Sequence, residues 1–302
     1  VIQLLSKKAS SAALLSAVLF LSYWFMVGES TLSYFVKFVL LIGEGFLLNY
    51  FCYRYRILGK PTNLPLVMFT VLAVLIMPEL SYADLIYGTV WLGAFFLAFE
   101  GREHPERSTS YAIYVGVLLG IAQAVSSISV FLLIPIFILF IQTGIHRTRS
   151  FLLAGLYFIM VQIAYIGIVY VMELEYRIGM LVPAVAFDYS VFNTILNKLV
   201  VPFVIVSLIV HLLSLNSYKF RYPNKSIILN FTILIQLISA VILMMLTAEV
   251  NLYIYVIMAS ALLLSYGFLY ASGRIFVNAA FASLICIAVM SLYLYKILIL
   301  SW

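Results

Sequence analysis

Glu44 and Lys37 are the residues whose types and spacing come nearest to chemistry in this chain. Glu44, flanked by Gly43 and Gly45, is a carboxylate inside a long apolar run, and Lys37 stands seven positions before it. At about 100° per residue the two share nearly one helical face, roughly 10 Å apart along the axis, so they point one way without touching. A carboxylate in hydrocarbon must be paired, protonated or hydrated, which makes Glu44 a candidate for proton or ion handling. The plainer alternative is a structural hydrogen bond to a neighbouring helix, with Lys37 extending toward the boundary.

Glu29, Glu79 and Asp84 form a second set, at the ends of successive apolar runs. Acids that converge there bind a cation or serve as a general base, and Glu29 and Asp84 are the catalytic candidates; a solvated acid at a helix end is the commoner outcome. Arg54 and Arg56, with Tyr53 and Tyr55 interleaved, make a basic tract that either meets lipid phosphate or simply orients the chain. His104, His146 and His211 lack metal-ligand spacing, and no serine, cysteine or histidine pattern marks a nucleophile, so neither metal nor cofactor is expected. Cys52 and Cys286 read as small packing residues.

The elements that must carry these residues are membrane helices. With 66% hydrophobic and 9% charged residues, and a mean hydropathy of +1.17, no soluble fold hides this surface. The expected fold is all-α: a polytopic transmembrane helix bundle forming one integral membrane domain over 1–302, with 172/173 as the division if substructure exists. About eleven spans are expected, at 9–27, 32–53, 64–77, 85–99, 111–125, 128–142, 151–172, 195–216, 226–247, 252–270 and 276–295. The first reads as a retained helix rather than a removed signal. Of 17 basic residues, 13 fall in one set of alternate loops, and seven of 11 acids fall in the other. Basic loops stay on the cytoplasmic side, which puts the N-terminal end inside and Trp302 outside a bacterial inner membrane. That bias explains the pI near 9.2 without nucleic acid. The partners expected are the lipid bilayer, other membrane subunits and, on one reading, a lipid-linked substrate.

Spans three to six have apolar runs of only 14 to 15 residues, or about 21 to 23 Å against a hydrocarbon core of about 30 Å. Basic residues pin their inner ends, so the shortfall predicts an outward polar depression edged by Glu79, Asp84, Gln123, Ser126 and Ser127. The alternative is that the helices extend through Tyr82, Val125 and Ile128. Gly116, Gly120 and Ala124 repeat every four residues on one face, as Ala94 and Ala98 do on the preceding span, and mark ridges for close helix approach within the chain or to another subunit.

Leu47 through Met172 carries Asn49 and basic residues closing the second span, Met77-Pro78-Glu79-Leu80 in an outer turn, and His146-Arg147-Thr148-Arg149 after a long hairpin. In these features it resembles an uncharacterised Bacteroidota inner-membrane family often mislabelled as carotene monooxygenase. That label implies iron-binding histidines, which three scattered histidines do not supply. The segment Gly116 to Val171 is also similar to the hairpins of membrane glycosyltransferases of the C superfamily, which use polyprenyl-phosphate sugars. The resemblance implies a catalytic base just after the first span, where Glu29 stands, although the long external loop of that family is missing here. The leading expectation is a non-catalytic subunit or scaffold of an envelope-biogenesis or secretion assembly. A handler of lipid-linked glycan comes next, and then a small-solute or ion-coupled transporter.

Overall fold

The computed structural model describes residues 8–27, 32–76, 80–125, 134, 136–141, 148–172, 204–212, 224–247, 253–270 and 278–290. Among them there is no strand. The chain is all-helical: α1 is Ala9–Val27, α2 Leu32–Arg54, α3 Leu64–Ile76, α4 Tyr82–Glu103, α5 Ser108–Val125, α6 Thr148–Val171, α7 Asn224–Thr247 and α8 Tyr253–Tyr270. Further helical stretches cover 204–212 and Asn278–Met290. Phe35–Arg54, Tyr82–Glu103 and Arg149–Val171 are long and apolar enough to cross a membrane, and several shorter helices are comparably apolar.

Local chemistry sets the helix starts. Thr62 Oγ1 accepts from Leu64 N at 3.2 Å and Pro65 follows, so α3 begins where an orphan amide is capped and a proline costs no hydrogen bond. Ser81 and Asp84 close a capping box at the start of α4. The apolar run alone predicts residues 85–99, yet α4 has 22 residues. The capping box carries it back to Tyr82, and the turn holding Glu100, Arg102 and Glu103 carries it forward, because polar side chains at a boundary do not end a helix. Helix α5 is 18 residues long, so these two helices take in Tyr82 and Val125, while Ile128, the third residue of that alternative, lies outside the described residues.

The core is organised around α8, whose residues 254–268 are all buried, and α3, buried from Leu64 to Val74. Helix α8 packs on α3, α4 and α7, α2 packs on both α3 and α4, α1 covers α3, and α5 joins α4 to α6. A helix apolar all round belongs inside, and these two are. Trp91 of α4 meets Tyr255 of α8 edge-on at 4.9 Å, and the Tyr255 hydroxyl donates to Gln236 of α7. Helix α6 is the reverse case, exposing Leu152, Leu156, Ile159, Ile163 and Tyr170 along its outer side.

Candidate functional site

Helices α2 and α4 run side by side in constant register. Thr89 Oγ1 donates to Glu44 Oε1 at 3.0 Å and the Tyr55 hydroxyl donates to Glu100 Oε1 at 2.7 Å, both across a separation of 45 residues. Lys37 with Tyr82, and Phe51 with Phe96, are contacts at the same offset. Since the offset stays at 45 from Lys37 to Tyr55 while both numbers rise, the two helices are parallel, with α3 as the return between them. The buried positions of α2 are Leu41, Glu44, Gly45, Leu48, Phe51 and Cys52, and among them Leu41, Glu44, Leu48 and Phe51 form one line that Tyr55 continues just past the helix end. Steps of three and four make that a heptad-like stripe, so Glu44 occupies a core position of the seam and not a lipid-facing one.

Glu44 is 2% exposed. It fits there because of Gly88: a Cβ on that residue would stand 2.9 Å from Glu44 Oε1, 2.9 Å from Met258 Cε and 3.0 Å from Ile254 Cγ1. The glycine leaves the space the carboxylate fills, at the junction of α2, α4 and α8. Glu44 Oε2 has no hydrogen-bond partner among the described residues.

Asp84 is fully buried in the first turn of α4. Its Oδ2 accepts from Ser81 N at 2.6 Å and from Ser81 Oγ at 2.7 Å, while Ser81 Oγ accepts from Asp84 N at 3.2 Å. This is helix capping, the structural role that competes with catalysis for the residue. Asp84 Oδ1 has no hydrogen-bond partner among the described residues. Its charge reaches Glu44 on one side and Lys37 on the other. The Lys37 ammonium lies 5.4 Å from the Tyr82 ring centroid, a cation–π contact. Lys37, Asp84 and Glu44 therefore make one electrostatic cluster, running from the start of α4 to the middle of the seam.

Glu29, Glu79, Ser126 and Ser127 lie outside the described residues, so of the outer acids only Asp84 is placed here. Gln123 is buried near the end of α5, the helix after α4. Gly116 and Gly120 serve packing within the chain. A Cβ on Gly116 would stand 2.2 Å from Ala154 O, and one on Gly120 would stand 2.6 Å from Val161 Cβ. Both neighbours belong to α6. At that approach Gln162 Nε2 of α6 donates to Gly120 O at 2.8 Å. Ala124, one turn on, is half-buried.

Thr89 and Gly88, which no sequence feature marks, and Ser81, a polar residue of the turn before α4, complete the cluster. Ser81 was recoverable, since a Ser-x-x-Asp start before an apolar run is a helix-start signature. Thr89 and Gly88 carry no such signal, because only the register of α2 on α4 brings them to Glu44. No family model matches this sequence, and neither a curated protein nor a solved structure is similar enough to count as a match.

Proposed function

We propose that this chain is a multi-pass protein of a bacterial inner membrane, with about eleven spans and its basic loops inside, and that it is an ion-coupled transporter of a small solute. The observation that carries this reading is the Glu44 carboxylate, set mid-helix in Phe35–Arg54 with one oxygen on Thr89 and the other unpartnered among the described residues. Two carboxylates within each other's field, in apolar surroundings, need a neutralising charge. Lys37 supplies it to Asp84. For Glu44 it is a proton or a monovalent cation, whose arrival and departure is the coupling event. The scaffold reading rested on short loops, small-residue ridges and the lack of catalytic chemistry, and of these the Gly116 and Gly120 ridge is filled by α6 of the same chain. The glycan-handling reading rested on the acids Glu29, Glu79 and Asp84 and on the hairpin resemblance, and of those acids Asp84 is engaged in capping.

The test is solid-supported-membrane electrophysiology on proteoliposomes of the full chain, with a panel of amino acids, sugars and nucleosides under imposed proton and sodium gradients. A solute-dependent current is expected, lost in Glu44→Gln and kept in a surface control such as Arg107→Gln. If no solute gives a current and Glu44→Gln cells behave as wild type, transport fails. Co-purified partner proteins in that case support the scaffold, and a sugar-transfer signal sensitive to Glu29→Gln supports the glycan handler.

A further inference from the structure

The opposite end of the α2/α4 seam carries a polar site that the transport reading leaves unused. Phe35–Arg54 and Tyr82–Glu103 are both long enough to cross a membrane, and both close at this end. A cavity of about 300 Å³ opens there among Arg54, Tyr55, Arg56, Glu100, Glu103 and His104, which is the lower end of the size range for small-ligand sites. Its lining carries both signs, with Arg54 Nη2 3.7 Å and His104 Nε2 3.6 Å from the Glu100 carboxylate. Two guanidinium groups come from the end of α2 and the turn after it, and two carboxylates come from the last turn of α4.

The basic wall is built with some care. Arg54 pairs with Glu100 at 3.7 Å, beyond hydrogen-bond reach, and its side chain is 54% exposed, so its donors are not spent on that carboxylate. Glu100 is instead oriented by the Tyr55 hydroxyl at 2.7 Å. Arg56 sits at φ 49°, a left-handed conformation that glycine or asparagine adopts more cheaply. The turn imposes it. Ile57 N donates to Cys52 O at 3.2 Å, Gly59 N donates to Arg56 O at 2.8 Å, Ile57 and Leu58 are fully buried, and the Tyr270 hydroxyl of α8 donates to Leu58 O. An arginine held under backbone strain in a cavity wall points to a task for its guanidinium.

A ligand that fits a lining of both signs is itself dipolar. Paired guanidinium groups suit a phosphate, which they bind through parallel hydrogen bonds. The acid wall, at the negative end of the α4 dipole, suits a cation that can donate hydrogen bonds. The level is that of phospholipid headgroups, where two membrane-length helices end. A basic patch selecting anionic lipid would gain nothing from Glu100 and Glu103. We infer that this cavity binds a zwitterionic phosphate ester bearing a primary ammonium group, in the form of an ethanolamine phospholipid headgroup.

Native mass spectrometry of the detergent-purified full chain tests this, by titration with dioleoyl-phosphatidylethanolamine, -phosphatidylcholine and -phosphatidylglycerol, and by competition with soluble glycerophosphoethanolamine. The ethanolamine lipid is expected to bind about tenfold more tightly than either other lipid, since choline's quaternary ammonium has no N–H to donate and the glycerol headgroup has no cation, and the soluble headgroup should displace it. Arg56→Gly should weaken it about tenfold while the melting temperature holds or rises, because glycine relaxes the strained turn. Glu103→Gln should reduce the preference over phosphatidylcholine. Equal retention of the three lipids, preference for phosphatidylglycerol, or unchanged binding in both variants would overturn the proposal. Binding of the soluble headgroup with none of the lipid would overturn it as a lipid site.

Discussion

At the scale of single residues, the seam separates two kinds of carboxylate. Glu100 accepts from Tyr55 and has basic groups of Arg54 and His104 at 3.7 and 3.6 Å, whereas Glu44 has Thr89 alone among the described residues. Glu44→Gln keeps the shape and an acceptor for Thr89 while removing a buried charge, so melting temperature in detergent should be unchanged or higher even as coupled flux is lost. A fall in melting temperature of several degrees would assign Glu44 a structural role instead. Gly88→Ala probes the same point from the other helix. Its new methyl meets Ile254 Cγ1 and the far ends of the flexible Glu44 and Met258 side chains, so the protein should fold with the carboxylate displaced and flux reduced; normal flux would show that the position of Glu44 is immaterial. Tyr55 offers a pH test. Burial first, and then its hydrogen bond to Glu100, pushes the phenol up from its ordinary value. A folded value above the unfolded one means this contribution is fully present below about pH 10 and is lost as pH rises through the folded value. Tyr55→Phe removes a hydrogen bond to a charged acceptor, worth about 1.5–3 kcal/mol. It should lower stability at neutral pH and flatten the alkaline arm of the melting-temperature profile; parallel profiles would contradict this.

Among elements, the α5/α6 hairpin shows how much a glycine's surroundings decide. Gly116 lies against the backbone of Ala154 and Gly120 against Val161, while Gly155 on α6 has nothing within 4 Å of a would-be Cβ. Helix propensity alone favours alanine over glycine by about 1 kcal/mol at every one of these sites. Gly155→Ala should therefore stabilise slightly. Gly116→Ala should destabilise by more than about 2 kcal/mol, since backbone in a packed pair cannot step aside as a side-chain tip can. Thermal melts of the two variants in one detergent check the contrast, and equal melting temperatures would remove the close α5/α6 approach. The every-fourth-residue spacing of Gly116, Gly120 and Ala124 made this ridge legible in the sequence. Its partner was not legible, because small residues announce close approach without naming the surface approached. Helix existence was equally plain for α1, whose limits follow Lys8 and the end of the apolar run. For α4 the apolar run understated the length, since capping by Ser81 and the polar turn through Glu103 lie outside any hydropathy signal.

For the whole molecule, the central position of α8 was the least legible feature. Residues 254–268 are all buried, yet they are about as apolar as α6, which exposes much of its apolar surface, because hydrocarbon tails and a protein core ask for the same side chains. The same ambiguity hid the parallel pairing of α2 with α4, and with it the meeting of Glu44 and Thr89. Charge asymmetry between alternate loops is the one long-range signal the sequence does carry; in the seam itself Arg54, Arg56 and His104 stand with Glu100 and Glu103 at one end, and Lys37 with Asp84 toward the other. The proposed orientation puts the former inside. Single cysteines placed at Lys60, His104, Arg147 or Lys225, in a background with Cys52 and Cys286 replaced, should resist a membrane-impermeant maleimide in intact cells with a permeable outer layer, and react once the cells are lysed. Cysteines at Glu175 or Glu249 should react in intact cells. The bias of 13 basic residues to four sets this expectation, and the parallel seam sharpens it, because Lys60 and His104 follow the same ends of α2 and α4 and must label alike. Labelling of Arg147 from outside would overturn the orientation. Labelling of Lys60 without His104 would go further and break the parallel pairing on which the Glu44 site depends.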